Sequence, residues 1–365
     1  MDLSLTPQQQ ELRDGLASFL DARRPMDWGD DPRLWADLVS EGWVTVGFPE
    51  ASGGRGGGVG DLVVVAETLG RVPLPTPFHG GIVLCGQALG AASGESERLR
   101  ALLSGARRFT YCGWEGLDDP GVGPPAVAAT ASARGWRLEG TARFVPYADA
   151  VDELLVLADV QGGRALGPTL FAVPSSAPGL GMDAVQTVGG DRFSHVIFSG
   201  VEVGPSHLVG QLGGATRWLR GAVDVGRVVL AAEMVGAAAA ALSHATAWAT
   251  GRIQFGAPIG SLQAVQHHLA DAFIDVVTAQ DAVYDAAGII DRGEDARVAA
   301  AEAKAYCGDA CRRVTAAAHQ ACGGEGIYAD EPLHRWHRRV AGLVPMLGSV
   351  GSLRAAVAAS FLGDP

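Results

Sequence analysis

Residues 206–257 contain no proline and are rich in alanine and valine. Proline breaks a helix interior and alanine is the strongest helix former, so this stretch predicts an unusually long helix. Apolar residues at helical spacing predict a second long helix from about Ser261 and a third over about 295–322. A fourth helix is expected to begin near Pro345 or after it. Long helices with short connections form bundles, and we therefore predict a C-terminal four-helix bundle over residues 208–365.

The rest of the chain divides into a helical region and a β-rich region. Residues 1–107 open with Thr6, Pro7 and Gln9, which is typical of a capped helix start, and continue with further helical spacing. Over residues 108–207, short runs rich in β-branched and aromatic residues alternate with Gly, Pro and Asp, which predicts an antiparallel sheet or small barrel. The expected fold class is α+β and mostly α, with an N-terminal helical domain, a middle β domain and the C-terminal bundle.

Charge and cysteine usage limit the kind of partner and compartment. The formal net charge is −12, which argues against nucleic acid because phosphate binding needs clustered Lys and Arg. The five cysteines are scattered without a CxxC pair, so a reducing cytoplasm is expected. Residues 1–5 lack the features of a signal peptide. The Ala-rich run 231–242 carries Glu233 and is too short to span a bilayer, so no membrane span is expected.

Two short motifs in the last third of the chain carry groups that suit a dinucleotide. The first runs from Arg252 through Gln254 and Phe255 to Ile259, and the second runs from Gln320 to Gly326 as Gln-Ala-Cys-Gly-Gly-Glu-Gly. An arginine can bind a pyrophosphate in bidentate fashion, and a phenylalanine offers an apolar face to a flat ring. Paired glycines allow backbone N–H groups to approach a phosphate closely.

These motifs resemble the RxQFGxPI and QxxGGxG signatures of the acyl-CoA dehydrogenase superfamily. The opening helix and the order of the regions are similar to that family as well, so the resemblance spans nearly the whole chain. It implies an FAD cofactor, an acyl-CoA or related thioester as substrate, and an oligomer in which these elements grip the adenine-diphosphate end of a neighbouring subunit's FAD. The residues to which the resemblance assigns this role are Arg252, Gln254, Phe255, Gln320, Gly323 and Gly324.

Asp224 and Arg227 match a DxxR pair that lies beside the acyl-CoA pocket in the family. Their spacing of three residues puts them on one face of a helix, where they could also simply pair with each other. Contact with the substrate and a structural ion pair therefore both stay open at these two positions.

The sequence departs from the family at the residues that perform proton abstraction. The reaction requires a carboxylate base, which the family carries either before a Gly-Thr pair near the C-terminus or just before the DxxR arginine. Leu347 and Gly226 stand at these two positions here, and neither can accept a proton. The chain thus resembles a divergent, actinobacterial-type member that lacks the usual catalytic glutamate.

Contacts to the flavin ring are altered too. Trp114 stands where the resemblance places a threonine whose hydroxyl bonds the ring, and an indole N–H can only donate. Phe144 replaces a tryptophan and can still stack on the ring. Pro146, two residues later, lacks both the hydroxyl and the backbone N–H of the family's threonine.

The groups expected to serve a neighbour's flavin are therefore kept, while those expected to hold this chain's own flavin and base are mostly lost. We hypothesise that the chain is one partner of a mixed acyl-CoA dehydrogenase assembly, a kind that the superfamily uses in bacterial degradation of steroid side chains. One alternative is a flavin-dependent monooxygenase or oxidase of the same fold that acts on a secondary metabolite. Another is a binding protein without catalysis.

Histidines near the C-terminus are further candidates for a site. His334 and His337 have a spacing that a zinc pair could use, but no set of carboxylates or cysteines nearby completes a tetrahedral site. Together with Arg335, Arg338 and Arg339 they are expected to form a basic surface stretch at a subunit interface. His319 could substitute for the base, and a hydrogen-bonded histidine at a helix end is the simpler interpretation.

Overall fold

The computed structural model describes residues 4–23, 31–113, 125–161 and 167–362. The N-terminal region is helical and begins with the predicted capping box, in which Thr6 accepts from the Gln9 backbone N–H. Its helices are α1 Pro7–Ala22, α2 Pro32–Ser40, α3 Val59–Arg71, α4 Cys85–Ala91 and α5 Ser96–Leu103. A π-helical segment, Phe78–Leu84, precedes α4 and is buried along its whole length.

The middle region is an eight-stranded sheet in the described residues, with the strand order β6-β7-β3-β2-β4-β5-β8 and with β1 paired to β4. The strands are β1 Phe109–Cys112, β2 Val127–Ser132, β3 Gly135–Pro146, β4 Glu153–Gln161, β5 Gly167–Pro174, β6 Leu180–Val185, β7 Phe193–Val203 and β8 Leu208–Val209. Strands β1 and β2 lie end to end along one edge of β4 and run parallel to it. The sequence predicted an antiparallel sheet or small barrel. The pairs of β4 with β1 and β2 are parallel, which differs from this prediction, and the other pairs of the sheet are antiparallel.

The C-terminal region is the predicted bundle. Its helices are α6 Ala215–Gly251, α7 Gln263–Asp291, α8 Arg297–Cys322, α9 Leu333–Leu343 and α10 Val350–Leu362. Helices α6, α7, α8 and α10 provide its four members, and the shorter α9 packs against α6 and α8. A small hairpin of β9 Ile253–Gln254 and β10 Ala257–Pro258 joins α6 to α7.

Helix α6 is the central element of the molecule. It packs against α3 of the N-terminal region and against α7, α8 and α9 of the bundle. By length and composition it could cross a bilayer, but 89% of its most apolar window is buried inside the protein. Its apolar side chains therefore build the main core, while the sheet encloses a second core of its own.

Candidate functional site

The two C-terminal motifs meet at one end of the bundle. Arg252 directly follows α6, and its Nη2 lies 3.3 Å from Glu325 Oε1 in the turn after α8. Phe255 stands at the tip of the β9–β10 hairpin and is 94% exposed. We call this surface the ledge, and its members are Arg252, Gln254, Phe255, Gln320, Gly323 and Gly324.

The glycines of the ledge leave open space in front of the turn. Gly323 has a φ of +63°, in the left-handed region that favours glycine. A Cβ atom added to Gly323 or Gly324 would meet no heavy atom within 4 Å. The ion pair between Arg252 and Glu325 is also about half exposed, so an incoming phosphate displaces the carboxylate at small cost. A guanidinium, two carboxamides, an aromatic face and an open turn together fit the adenine-diphosphate part of FAD.

A second group of predicted residues lines a cavity of about 450 Å³ between the sheet and the segment around α9. Phe144 and Leu347 are both on its wall, and we call it the ring cavity. Phe144 is half-exposed and packs edge-on against His195, with ring centroids 5.1 Å apart. An exposed aromatic face is therefore available for stacking, as the sequence predicted.

The wall of the ring cavity includes the polar side chains of Arg143, Gln186 and Thr187, but position 146 lacks the hydrogen-bonding groups that the resemblance assigns to it. Pro146 has no N–H, and its carbonyl accepts a hydrogen bond of 2.6 Å from the Thr110 hydroxyl. A Cβ on Gly80 would lie 2.5 Å from Pro146 Cγ, so the π-helical segment packs directly on the end of β3. Trp114 lies outside the described residues. Phe144 is free to stack on a flat ring, and the end of β3 at Pro146 offers this ring no N–H donor.

The two positions that hold the base in the family face each other. A Cβ on Gly226 would lie 2.7 Å from Leu347 Cδ1 and 2.9 Å from Leu84 Cδ2. Leu347 is 2% exposed and adopts a left-handed φ of +55°. Two leucine side chains therefore fill the space in front of Gly226, where a carboxylate would otherwise stand.

Arg227 uses its guanidinium to hold the turn that carries Leu347. Its Nε donates to the Leu347 carbonyl over 2.9 Å, and its Nη1 lies 3.6 Å from Asp224 Oδ1. Burial raises the pKa of Asp224 to about 6, although Arg227 acts in the opposite direction. The structure thus brings Asp224, Arg227 and Leu347 together as a packed unit.

A buried chain of charged residues was not predicted from the sequence. Arg339 pairs with Glu233 and, over 2.6 Å, with Asp191, while Glu233 also bonds His79. Burial raises the pKa of Glu233, but Arg339 and His79 more than offset this and lower it to about 2. The signal available in the sequence was Glu233 itself, a lone charge in an apolar run. We call these residues the buried charge chain.

The expectation of a basic surface stretch around the C-terminal histidines was wrong at Arg339, which is 1% exposed. Arg339 faces inward because two carboxylates from other elements meet it there. His334 bonds the Glu331 carbonyl and His337 bonds the Thr315 hydroxyl, so the two rings have different partners. His319 bonds the Thr315 carbonyl in the last turns of α8, as the simpler interpretation predicted.

The ledge and the ring cavity are far apart on the same chain. Arg227 contacts the turn of the ring cavity, and 24 residues of helix separate it from Gly251, next to the ledge. At 1.5 Å per residue this corresponds to about 36 Å along α6. Even a fully extended FAD cannot span this distance. One FAD therefore cannot occupy the ledge and the ring cavity of one chain together.

Comparisons with known proteins cover almost the whole chain. Residues 6–105 match the family described as "Acyl-CoA dehydrogenase, N-terminal domain", and residues 214–362 match "Acyl-CoA dehydrogenase, C-terminal domain". The chain is 30% identical to acyl-CoA dehydrogenase FadE27 of Mycobacterium tuberculosis over 358 residues, 92% of each chain.

Two solved structures are also similar. A chain of the ChsE4–ChsE5 complex of Mycobacterium tuberculosis matches with a TM-score of 0.87 and 28% identity. The match covers 100% of this chain and 100% of the matched chain. A chain of the structure described as "Tcur3481-Tcur3483 steroid ACAD G363A variant" matches with a TM-score of 0.81 and 30% identity. The match covers 96% of this chain and 96% of the matched chain.

Proposed function

The chain belongs to the acyl-CoA dehydrogenase superfamily, and from this premise we propose that it is one subunit of a mixed assembly that α,β-desaturates an acyl-CoA thioester. In this assembly a related sister chain supplies the base and most of the contacts to the flavin ring. This chain completes the sister's FAD site with its ledge. FAD bound in the pair would supply the hydride acceptor for the desaturation.

The observation that carries the proposal is the contrast between the two ends of α6. The ledge is open, and its donors suit the adenine-diphosphate part of FAD. Around Gly226 of α6, the side chains of Leu84 and Leu347 fill the space where a base would stand. Pro146 supplies no N–H for the flavin edge, and its carbonyl accepts a hydrogen bond from Thr110. Because one FAD cannot reach both ends, the ledge can act only on an FAD held mainly by another chain.

Apolar side chains on the surface support an assembly. On α7, Phe273 and Ile274 are about 60% exposed, and on α10 Phe361 and Leu362 are more than 75% exposed. Large exposed apolar residues in groups are typical of surfaces that another protein covers. The similar ChsE4–ChsE5 structure is itself a complex of two different chains.

The structures of similar proteins also favour a substrate class. The match described as a steroid ACAD favours an acyl-CoA with a steroid-derived or other bulky lipid acyl group for the assembly. In this chain we assign Asp224 and Arg227 to holding the Leu347 turn, since Arg227 already donates to the carbonyl there.

Within the ledge, Arg252 is assigned to the pyrophosphate and Phe255 to the adenine ring. Gln254 and Gln320 provide carboxamides for the ribose and phosphate oxygens. Gly323 and Gly324 let the backbone approach the phosphates without a Cβ in the way.

The test is co-expression with a related chain that has a glutamate at the position corresponding to Leu347. Such a chain is sought first in the neighbouring reading frames of the genome. We expect FAD and acyl-CoA oxidation in the purified pair, and neither in this chain alone. Arg252→Ala should lower the affinity of the pair for FAD about tenfold or more, since a charge-assisted contact is lost.

Arg137→Ala is the matched control, because Arg137 is a similarly exposed arginine paired with Glu139 on the sheet. It should leave FAD binding unchanged. Stoichiometric FAD and unaided acyl-CoA oxidation by this chain alone would contradict the proposal. Oxygen-dependent product formation by the chain with reduced flavin would instead indicate an oxygenase.

A further inference from the structure

Four residues other than glycine adopt a left-handed backbone in the described part of the chain. They are Phe144, Tyr147, Phe255 and Leu347, with φ between 51° and 55°. Such conformations cost free energy and cluster at functional sites. Phe144 and Leu347 line the ring cavity, and Phe255 is on the ledge. Tyr147 belongs to neither of these sites and lines a different cavity.

Tyr147 lines a separate cavity of about 490 Å³ between the N-terminal helices and the sheet. Its walls are mostly apolar, with Trp35 and Val39 from α2, Ile82 from the π-helical segment and Phe109 from β1. We call it the Tyr147 cavity. Its volume is in the range of small-molecule sites, which are typically lined by apolar and aromatic side chains with a few polar groups.

Three arginines supply the charged groups of this cavity. Each has a half-exposed side chain and an acidic neighbour: Arg107 pairs with Glu153, Arg108 with Asp152, and Arg192 with Asp149. Asp152 and Asp149 are half-exposed, whereas Glu153 is buried. Ion pairs between exposed groups contribute at most about 1 kcal/mol each. Arg108 and Arg192 are therefore able to exchange a carboxylate partner for an incoming anion at little cost.

Arg108 is the arginine whose replacement disturbs the protein least. Its side chain lies 3.2 Å from Asp152 Oδ1, and Asp152 also accepts a 2.8 Å bond from the Arg108 backbone N–H. That backbone bond remains when the side chain is replaced. The loop between β3 and β4 keeps its anchor, and a change in binding then reports on the guanidinium.

We propose that the Tyr147 cavity is a second ligand site, which takes a compact apolar molecule that carries an anionic group. The apolar body lies among Trp35, Val39, Ile82 and Phe109, and the anion pairs with Arg108 and its neighbours at the mouth. This inference does not rest on the proposed function, since neither the ledge nor the ring cavity contributes a residue to it.

The test uses two dyes with the same rings. One is 1-anilinonaphthalene-8-sulfonate, which is anionic, and the other is N-phenyl-1-naphthylamine, which is uncharged. Binding to the full chain is titrated by fluorescence, and the stoichiometry is checked by calorimetry. We expect one saturable site that prefers the anionic dye. Arg108→Gln should weaken the anionic dye about tenfold and leave the uncharged dye unchanged, because only the anion uses the guanidinium.

Ala36→Trp places a large side chain in the cavity from α2, and Ala36→Ser is its matched control. The tryptophan variant should abolish binding of both dyes, and the serine variant should bind like the wild type. A folded Ala36→Trp protein that still binds both dyes would overturn the site. If Ala36→Trp does not fold, the Arg108→Gln variant decides the question. The proposed site would be overturned if this variant binds both dyes as weakly as each other, or if its affinity for both dyes equals that of the wild type.

Discussion

A single absent Cβ atom, at Gly226, determines what fills the place of the missing base. The leucine side chains of positions 84 and 347 come so close to Gly226 that a methyl group there would overlap both. The sequence predicted that Gly226 and Leu347 cannot act as bases, because this depends only on residue type. It could not predict that the two residues touch, because that contact depends on how α6 packs against the turn before α10.

Gly226→Ala is expected to destabilise the chain by about 1–3 kcal/mol, because a buried site with no spare room must shift its leucines. Urea denaturation of the purified chain measures this. Gly221→Ala on the same helix is the control, since its Cβ would meet nothing within 4 Å. The free energy of unfolding of that variant should rise by about 0.5–1 kcal/mol, because alanine loses less backbone entropy than glycine on folding. Equal effects of the two substitutions would contradict the packing described here.

At the scale of elements, α3 and α6 cross at a contact that only glycine permits. A Cβ on Gly236 of α6 would lie 1.9 Å from the Glu67 carbonyl oxygen, and a Cβ on Gly70 of α3 would lie 2.1 Å from that of Glu233. Backbone faces backbone here, so neither helix can yield by rotating a side chain. This crossing fixes the N-terminal region onto the bundle.

Gly236→Ala should therefore cost about 3 kcal/mol or more, because the two helices must move apart to accept it. The comparison of urea midpoints with wild type and with Gly221→Ala tests this. A loss well below 1 kcal/mol would show that the crossing is not as close as described.

The sequence predicted the long helices better than the short ones. Helices α6, α7 and α8 followed from a proline-free run and sustained helical spacing, which are local properties. Helix α9 was not predicted, because its arginines and histidines were interpreted as a surface stretch. Its buried residues Leu333, Trp336, Val340 and Leu343 nevertheless follow helical spacing. The π-helical segment had no local signal, because it is set by packing against α6 and β1.

At the scale of the whole molecule, the buried charge chain ties the three regions together. His79 comes from the N-terminal region, Asp191 from the sheet, and Glu233 and Arg339 from the bundle. Asp191 also lines the ring cavity, so this cavity has a rigid, charged wall. No sequence pattern predicts the buried charge chain, because its four residues are distant from one another in the sequence and only the fold brings them together.

Arg339→Met should destabilise the protein by about 3–5 kcal/mol at pH 7, because it leaves Glu233 and Asp191 buried without their cation. The pKa of Glu233 in the fold is about 2, below its ordinary value of 4.5. Its contribution to stability is therefore present above pH 4.5 and is lost as the pH falls from 4.5 towards 2.

The gap in unfolding free energy between wild type and Arg339→Met should accordingly narrow through this acidic range, as measured by denaturation at pH 7 and pH 3. Arg137→Met is the control, because Arg137 and its partner Glu139 are both about half exposed on the sheet. It should cost at most about 1 kcal/mol. A gap of constant size at both pH values would argue against a charged Glu233 as the partner of Arg339.

The distance along α6 that separates the ledge from the ring cavity lets the two ends of the molecule mutate independently. In the proposed assembly, a substitution in the ledge leaves this chain folded but weakens FAD binding by the sister chain. A substitution around Leu347 leaves FAD binding by the sister chain unchanged. An allele with a damaged ledge would then be rescued by an allele with an intact ledge, even where the second allele carries a change around Leu347. Selection on the ledge would in this way preserve a gene whose product does not itself catalyse the reaction.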